Sequence, residues 1–516
     1  MRGKLVKQGV VRQLVDVSQK FATDSGGREQ VAVARAVANL GKSTALDSRR
    51  QFVRDGGLEP LLHLVRSRRL ADQKAGAEAL VHVMHRNGLA QEQVHQAGFG
   101  PTLKGLAVSA DPQTQVFAMR SLSEMAMRPH IWPELAKDKG MAELLERNVA
   151  SELDSVVMEA ERTRRLLGQD AGTQRWRAEQ PNENRNVRIL SLDGGGTRAV
   201  VAIEILKELR AISGHEIHEL FDMICGTSTG AILAFMIGLR KLSLEETGQL
   251  YADLAPKIFP QGIVNKLMAG VQGGTLYDPS HMEHCLRDVT GDTAMLDHDA
   301  TPLVFACAAQ TQVQPPVPFL FRNYSHSPDR PSRYAGSTEY ALWEGLRATT
   351  AAPTYFPEFL LDEYVLRDGA VVSNNPAAIA VHEARRLWGK DSVKTICSVG
   401  TGLFPTLFQS GRGLREAIRS IVHSATSTEL THHVLDDLLS SSTYFRFNPS
   451  IADEVYLDEI DPVKLRELQM IARDYVSQPH VQARMRQLVE TLVPPKRTLR
   501  TRLDELRDWV KVKSNL

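Results

Sequence analysis

Apolar and polar positions along this chain follow two periods. In roughly the first third, apolar side chains recur at helical spacing. They predict helices over Val31–Leu40, Ala75–Met84, Val116–Met125 and Val156–Leu167. Residues 168–186 break the pattern with a polar run of Gln, Asn and Arg and one Pro, which reads as a linker. Beyond it the pattern alternates. Val187–Leu192, Phe221–Cys225, Leu303–Ala309 and Thr395–Val399 read as strands, and Ala199–Ile212 and Thr229–Leu239 as helices. Such alternation predicts a mostly parallel sheet covered on both faces. The last hundred residues read as largely helical and rich in charge.

The helical third repeats. Gly57-Leu-Glu-Pro-Leu-Leu, Gly98-Phe-Gly-Pro-Thr-Leu and Gly140-Met-Ala-Glu-Leu-Leu are similar phrases at steps of 41 and then 42 residues. A period near that length, with several helices per unit, is the mark of armadillo or HEAT repeats. The phrase over Asp55–Val65 resembles the armadillo family in particular. The expected division is therefore an all-α armadillo-type solenoid over 1–167, a linker over 168–186, an α/β domain over 187–405 and a mainly helical extension of it over 406–516. A generic helical domain with chance periodicity is the alternative for the first part. Met1–Lys20 is basic and amphipathic, and reads as a first solenoid helix or as a transit or membrane-surface helix.

Composition narrows the class. The chain has 516 residues, 42% hydrophobic and 24% charged, and a net charge of +1. Those proportions are ordinary for a globular protein, and the near-zero charge predicts no nucleic-acid partner. Four scattered cysteines (Cys225, Cys285, Cys307, Cys397) offer neither metal spacing nor a disulfide framework. They read as buried free thiols, which suits an intracellular, reducing compartment. The longest apolar run, Ala231–Leu239, is far short of the roughly 20 residues a membrane span needs.

Candidate chemistry lies in two loops. Asp193-Gly-Gly-Gly-Thr-Arg198 follows the first predicted strand, and Gly226-Thr-Ser-Thr-Gly230 follows the second. Consecutive glycines let backbone amides approach a substrate closely, as an oxyanion hole requires. A serine between small residues at a strand-to-helix turn is a nucleophile elbow, which makes Ser228 the candidate nucleophile. No histidine stands in a convincing position for a triad: His423, His432 and His433 lie in a polar helical stretch and read as solvent-facing. Asp368, before Gly369 at the end of an apolar run, is the better base if burial raises its pKa. Read alone, such an aspartate is more often a simple Asp-Gly turn.

Together these residues resemble the patatin-like phospholipases. The resemblance rests on Asp193–Arg198, Gly226–Gly230, Arg347-Ala-Thr-Thr-Ala-Ala-Pro-Thr-Tyr-Phe356 and Asp368-Gly-Ala370, in that order. Arg322-Asn-Tyr324 and Ser398-Val-Gly-Thr-Gly402 add to it. Within the family the chain is most similar to the calcium-independent phospholipase A2 gamma type. The added armadillo repeats resemble the plant and algal phospholipase A I group, here without leucine-rich repeats. The resemblance implies a three-layer α/β/α hydrolase domain and a Ser–Asp dyad in which Ser228 is nucleophile and Asp368 base. It implies an oxyanion hole from Gly194, Gly195, Gly196 and Thr229, with no cofactor and no metal. Arg198 either orders that loop or meets a phosphate headgroup. Ala199 departs from the family, which often has glycine there, but alanine suits a helix start.

The function so implied is calcium-independent hydrolysis of acyl esters of membrane phospholipid or galactolipid, in the cytoplasm or an organelle, at a peripheral membrane surface. A protein partner on the repeats is a further expectation. The competing readings are an armadillo scaffold with a vestigial lipid-binding domain, and a neutral-lipid or acyl-CoA hydrolase. Leu254–Val271 is apolar, broken by Pro and Gly, and carries Lys257 and Lys266; it reads equally as a membrane-facing cap or as core.

Overall fold

The computed structural model describes residues 27–41, 46–128, 130–167, 186–259, 275–298, 301–326, 330–404, 428–452 and 455–493, with Gln13 and Asp16 before them. The linker at 168–185, most of Met1–Lys20, His423 and residues 260–271 of the proposed cap lie outside the described residues.

The helical part is built from three-helix units. The first holds Leu46–Arg54, Leu58–Val65 and Leu70–Met84, and the second Gly88–Gln96, Gly100–Leu106 and Pro112–Ala126. The third holds Trp132–Lys137, Lys139–Val149 and Asp154–Leu167. Their long third helices stack in sequence behind Gly27–Gly41, which makes a solenoid with one continuous core. Asp111 and Asp138 start two of these helices by accepting from the amides of Thr114 and Met141. The three phrase glycines do not share one conformation. Gly98 has φ +68, Gly57 has φ −68 at a helix entry, and Gly140 lies within a first helical turn. What repeats is the apolar run after each glycine, which buries Leu61, Leu103 and Leu144.

The second part is a three-layer sandwich around a nine-stranded sheet: β1 (Val187–Leu192), β2 (Met223–Thr227), β3 (Leu303–Gln310), β4 (Val317–Arg322), β5 (Ala335–Ser337), β6 (Phe359–Leu361), β7 (Tyr364–Asp368), β8 (Val393–Val399) and β9 (Tyr444–Phe447). The order is β5-β4-β3-β2-β1-β8-β9, and β7 pairs with both β3 and β6. Strand alternation sorts the core into two layers. Leu190, Leu192, Ile224, Val304 and Ala306 face one, and Val187, Ile189, Met223, Phe305 and Cys307 the other. The sheet is parallel from β3 through β9, as the alternation predicts. Antiparallel pairing enters where β3 meets β4 and β7, and where β7 meets β6.

The region expected as a mainly helical extension also supplies an edge strand, β9, whose register runs from Ile396 opposite Tyr444 to Val399 opposite Phe447. The helices Pro462–Ser477 and Pro479–Leu492 then pack on Ala199–Ser213. Leu254, Ala255 and Ile258 are buried in the core, and Phe259 packs against Tyr277 and Phe356, so this stretch of the proposed cap is packing. Among the described residues no helix is long and apolar enough to cross a membrane.

Candidate active site

Sheet topology brings two strand ends face to face. Along one edge of β3, β2 pairs in parallel up to Thr227 opposite Cys307. The next residue, Ala308, pairs with Asp368 at the end of the antiparallel strand β7. Ser228 therefore follows a strand that stops where the Asp368 strand arrives. Ser228 Oγ donates to Asp368 Oδ2 at 2.7 Å.

The elbow is strained and tightly packed. Ser228 has φ 53 and ψ −124, between β2 and the wholly buried helix Thr229–Gly238. A side chain at Gly226 would meet the Gly230 carbonyl carbon at 2.2 Å, and one at Gly230 would meet Leu192 O at 2.3 Å. Small residues on both sides of the serine are thus a packing requirement. The Ser228 amide donates to Thr349 Oγ1 at 2.9 Å, and the Thr349 hydroxyl donates to Cys307 O.

Asp368 is 2% exposed. Burial pushes its carboxyl up to about 6, against the opposing effect of the Ala370 amide and the Ser228 hydroxyl. A shift of that size suits a base working near neutrality. Burial likewise pushes the thiols of Cys307 and Cys397 up to about 12 and that of Cys225 further, so these three are inert core groups.

The glycine loop is held by its carbonyls. Thr401 Oγ1 donates to Gly194 O at 3.1 Å, Arg198 Nε to Gly195 O at 3.0 Å, and the Tyr251 hydroxyl to Gly196 O at 2.6 Å. In a trans peptide the N–H of the next residue points opposite the carbonyl, so these three donors also aim the amides of Gly195, Gly196 and Thr197. The Gly194 amide donates to Asn374 O at 3.2 Å, the Gly195 amide to Thr229 Oγ1 at 3.2 Å, and the Thr197 amide to Leu457 O at 2.9 Å. Among the described residues the amides of Gly196 and Thr229 meet no acceptor. Gly196 has φ +60, and a side chain there would strike Leu457 O at 2.1 Å, so only glycine fits. Arg198 sits over the Phe404 ring at 4.8 Å, with its Nε turned to the loop. Ala199 is buried at the start of its helix without distorting it.

Asp193, just before the glycines, is tied to Arg446 of β9 at 2.6 Å; burial pushes its carboxyl up, against the pull of the guanidinium. Tyr251, Arg446 and Leu457 carry no motif that sequence reasoning could single out. Thr349, Asn374 and Thr401 stand inside stretches already notable for their residues. Not every such stretch reaches the site. Arg322 and Tyr324 bond Glu383, Asn323 bonds Val304 N, and Arg347 bonds Glu283 and Pro357 O, so these brace the sheet and its helices. His433 is exposed, whereas His432 is half-buried and stacked on Tyr444. Among the described residues Glu429, His432 and His433 have ligating atoms within 4.8 Å of one another. Arg446 lies 3.7 Å from Glu429, and its fixed positive charge opposes a cation there.

Residues 190–381 match the family "Patatin-like phospholipase". Over 343 residues the chain is 38% identical to calcium-independent phospholipase A2-gamma of Rattus norvegicus, covering 65% of this chain and 43% of that protein. It is 29% identical over 440 residues to phospholipase A I of Arabidopsis thaliana, covering 73% and 34%. The chain thus spans less than half the length of these two curated relatives. Among solved structures, a computationally designed armadillo repeat protein for modular peptide recognition is similar at a TM-score of 0.30 and 17% identity, over 33% of this chain and 71% of that one. The strained serine elbow, the buried aspartate beside it and the carbonyl-held glycine loop all fall within the stretch, residues 190–381, over which this chain is similar to the patatin-like phospholipases.

Proposed function

We propose that the chain is a serine-dependent lipid acyl hydrolase of the phospholipase A type, acting on acyl esters of membrane phospholipid or galactolipid. The observation that carries this reading is the Ser228 hydroxyl, on a strained elbow, 2.7 Å from a buried carboxylate whose pKa is raised to about 6.

Asp368 Oδ2 takes the hydroxyl proton as Ser228 Oγ bonds to the ester carbonyl carbon. The carbonyl electrons move to oxygen, and the amides of Gly196 and Thr229 receive that oxyanion. The Gly195 amide joins them when the Thr229 hydroxyl rotates away, and the Gly194 amide stays with Asn374 O. Each such donor contributes about 3 kcal/mol in a dry site. The intermediate collapses and expels the alcohol, a lysolipid, which takes the proton back from Asp368. Water then attacks the acyl-serine with Asp368 again as base, releasing fatty acid and restoring Ser228.

Arg198 acts here on the loop, because its Nε is committed to Gly195 O. Activation of the serine comes from the chain's own carboxylate, so turnover is expected to survive calcium chelation, in line with the name of the rat relative. Peripheral contact with an intracellular membrane completes the proposal. The test is fatty-acid release from vesicles of mixed phospholipid and galactolipid, in chelator. The wild type is expected to release it and Ser228→Ala to fall by on the order of 1000-fold or more. Substantial turnover by pure Ser228→Ala would remove the reading.

A further inference from the structure

The solenoid reaches two elements that lead to the Ser228–Asp368 pair: the helix Leu342–Thr349, which bonds the Ser228 amide, and the hairpin β6–β7, which ends at Asp368. Arg86, in the turn after Leu70–Met84, has φ 54 and a largely buried side chain. Its Nη1 donates to Glu344 Oε1 at 2.9 Å and Oε2 at 3.1 Å. Its Nε and Nη2 donate to Asp362 Oδ2 at 3.0 and 2.8 Å. The guanidinium also lies 4.4 Å from the centre of the Tyr340 ring. Burial works against the charge, but the two carboxylates outweigh it and hold Arg86 ionised.

Each carboxylate begins a short path to the site. Glu344 accepts from the Ala341 amide at 2.9 Å, capping the helix Leu342–Thr349. The far end of that helix is Thr349, whose Oγ1 accepts from the Ser228 amide. Asp362, with φ 54, sits in the two-residue turn between β6 and β7. The far end of β7 is Asp368. The helix and the strand meet again at the site, where Asp368 N donates to Ala351 O at 3.0 Å and Gly369 N to Thr349 O at 3.3 Å.

We infer that Arg86 is a positioning residue for the Ser228–Asp368 pair, through which the solenoid sets the geometry of the hydrolase site. The inference rests on the proposed hydrolysis. One guanidinium clamps the outer ends of two short elements whose inner ends hold the nucleophile's amide and the base. Without it two largely buried carboxylates lose their shared counter-charge, and the hairpin and the helix move apart. A displacement of about 1 Å at the reacting atoms costs on the order of 100-fold in rate.

The experiment compares intact wild type, Arg86→Ala, Arg86→Lys and Asp362→Asn, with Arg165→Ala as a control. Arg165 also crosses the boundary, donating to His298 O at 2.6 Å, but touches neither element. Active sites are counted by fluorophosphonate titration, and turnover per site is followed against pH. Arg86→Ala is expected to lose on the order of 10-fold to 100-fold in kcat with KM little changed. Its pH midpoint should move down as water reaches Asp368, and added guanidinium ion should restore part of the rate. Arg86→Lys and Asp362→Asn should fall between it and wild type, and Arg165→Ala should keep wild-type kcat. If Arg86→Ala does not fold, the pH midpoints of Arg86→Lys and Asp362→Asn decide. Wild-type kcat per site and an unshifted midpoint in the folded variants overturn the inference while the hydrolase reading stands. A wild type that neither labels nor hydrolyses overturns the hydrolase reading, and the inference with it.

Discussion

Asp368 illustrates at the residue scale how one burial sets the proposed function against stability. Its folded pKa, near 6, stands above the 3.8 of an unperturbed aspartate. The folded state therefore holds the proton more tightly, and stability falls as pH rises from about 4 to about 6. Above that window the full penalty, about 3 kcal/mol for a shift of about 2 units, is present. Asp368→Asn should thus abolish turnover yet melt at a higher temperature than wild type at pH 8, with the gap narrowing toward pH 4. A variant equally or less stable than wild type at pH 8 would show that burial is not what raises the pKa. Tyr251 makes a second case. Tyr251→Phe removes the donor to Gly196 O and frees that peptide to reorient. The expected result is a fall in kcat of about 10-fold, the worth of one hydrogen bond, with KM and melting temperature nearly unchanged. An equal rise in KM would place Tyr251 in substrate binding instead.

At the element scale the site is made by strand ends and the turns that follow them. β1 leads into the glycine loop, β2 into the elbow, and β7 ends at Asp368. The elbow's small residues let its backbone lie against β1, so Gly230→Ala should cost about 2 kcal/mol or more in thermal denaturation. Unchanged melting would mean that β1 gives way freely at Leu192. Much of this was legible in the sequence. β1, β2, β3 and β8 announce themselves as apolar runs, and the two glycine-bearing loops sit where such strands must turn. The long helices of the solenoid were equally plain, because Leu80, Leu122 and Leu166 recur on buried faces. The short strands were not. β9 has four residues in a polar stretch, and β7 pairs with β3 over only three, so their places depend on distant partners. The same holds for Arg446 and Tyr251, whose roles come from what the fold sets beside them.

Across the whole molecule the solenoid is joined to the α/β domain by charge and by packing. Leu296 enters the solenoid core, Arg162 pairs with Asp297 at 2.5 Å, and Arg50 reaches Glu363 at 3.3 Å. With Arg86 these contacts gather on one side of the α/β domain, beside the hairpin and helix that lead to the active pair. The solenoid is thus a supporting wall for the site, whatever else its other surfaces meet. The account as a whole depends on one hydroxyl and one carboxylate acting together in the intact chain. The most direct measurement is the rate of fluorophosphonate labelling against pH, with the modified residue identified by peptide mapping. The account predicts a single adduct on Ser228, a rate that rises through pH about 6 as Asp368 loses its proton, and no labelling of folded Asp368→Asn. An adduct elsewhere, or a folded Asp368→Asn that labels at the wild-type rate, would contradict it.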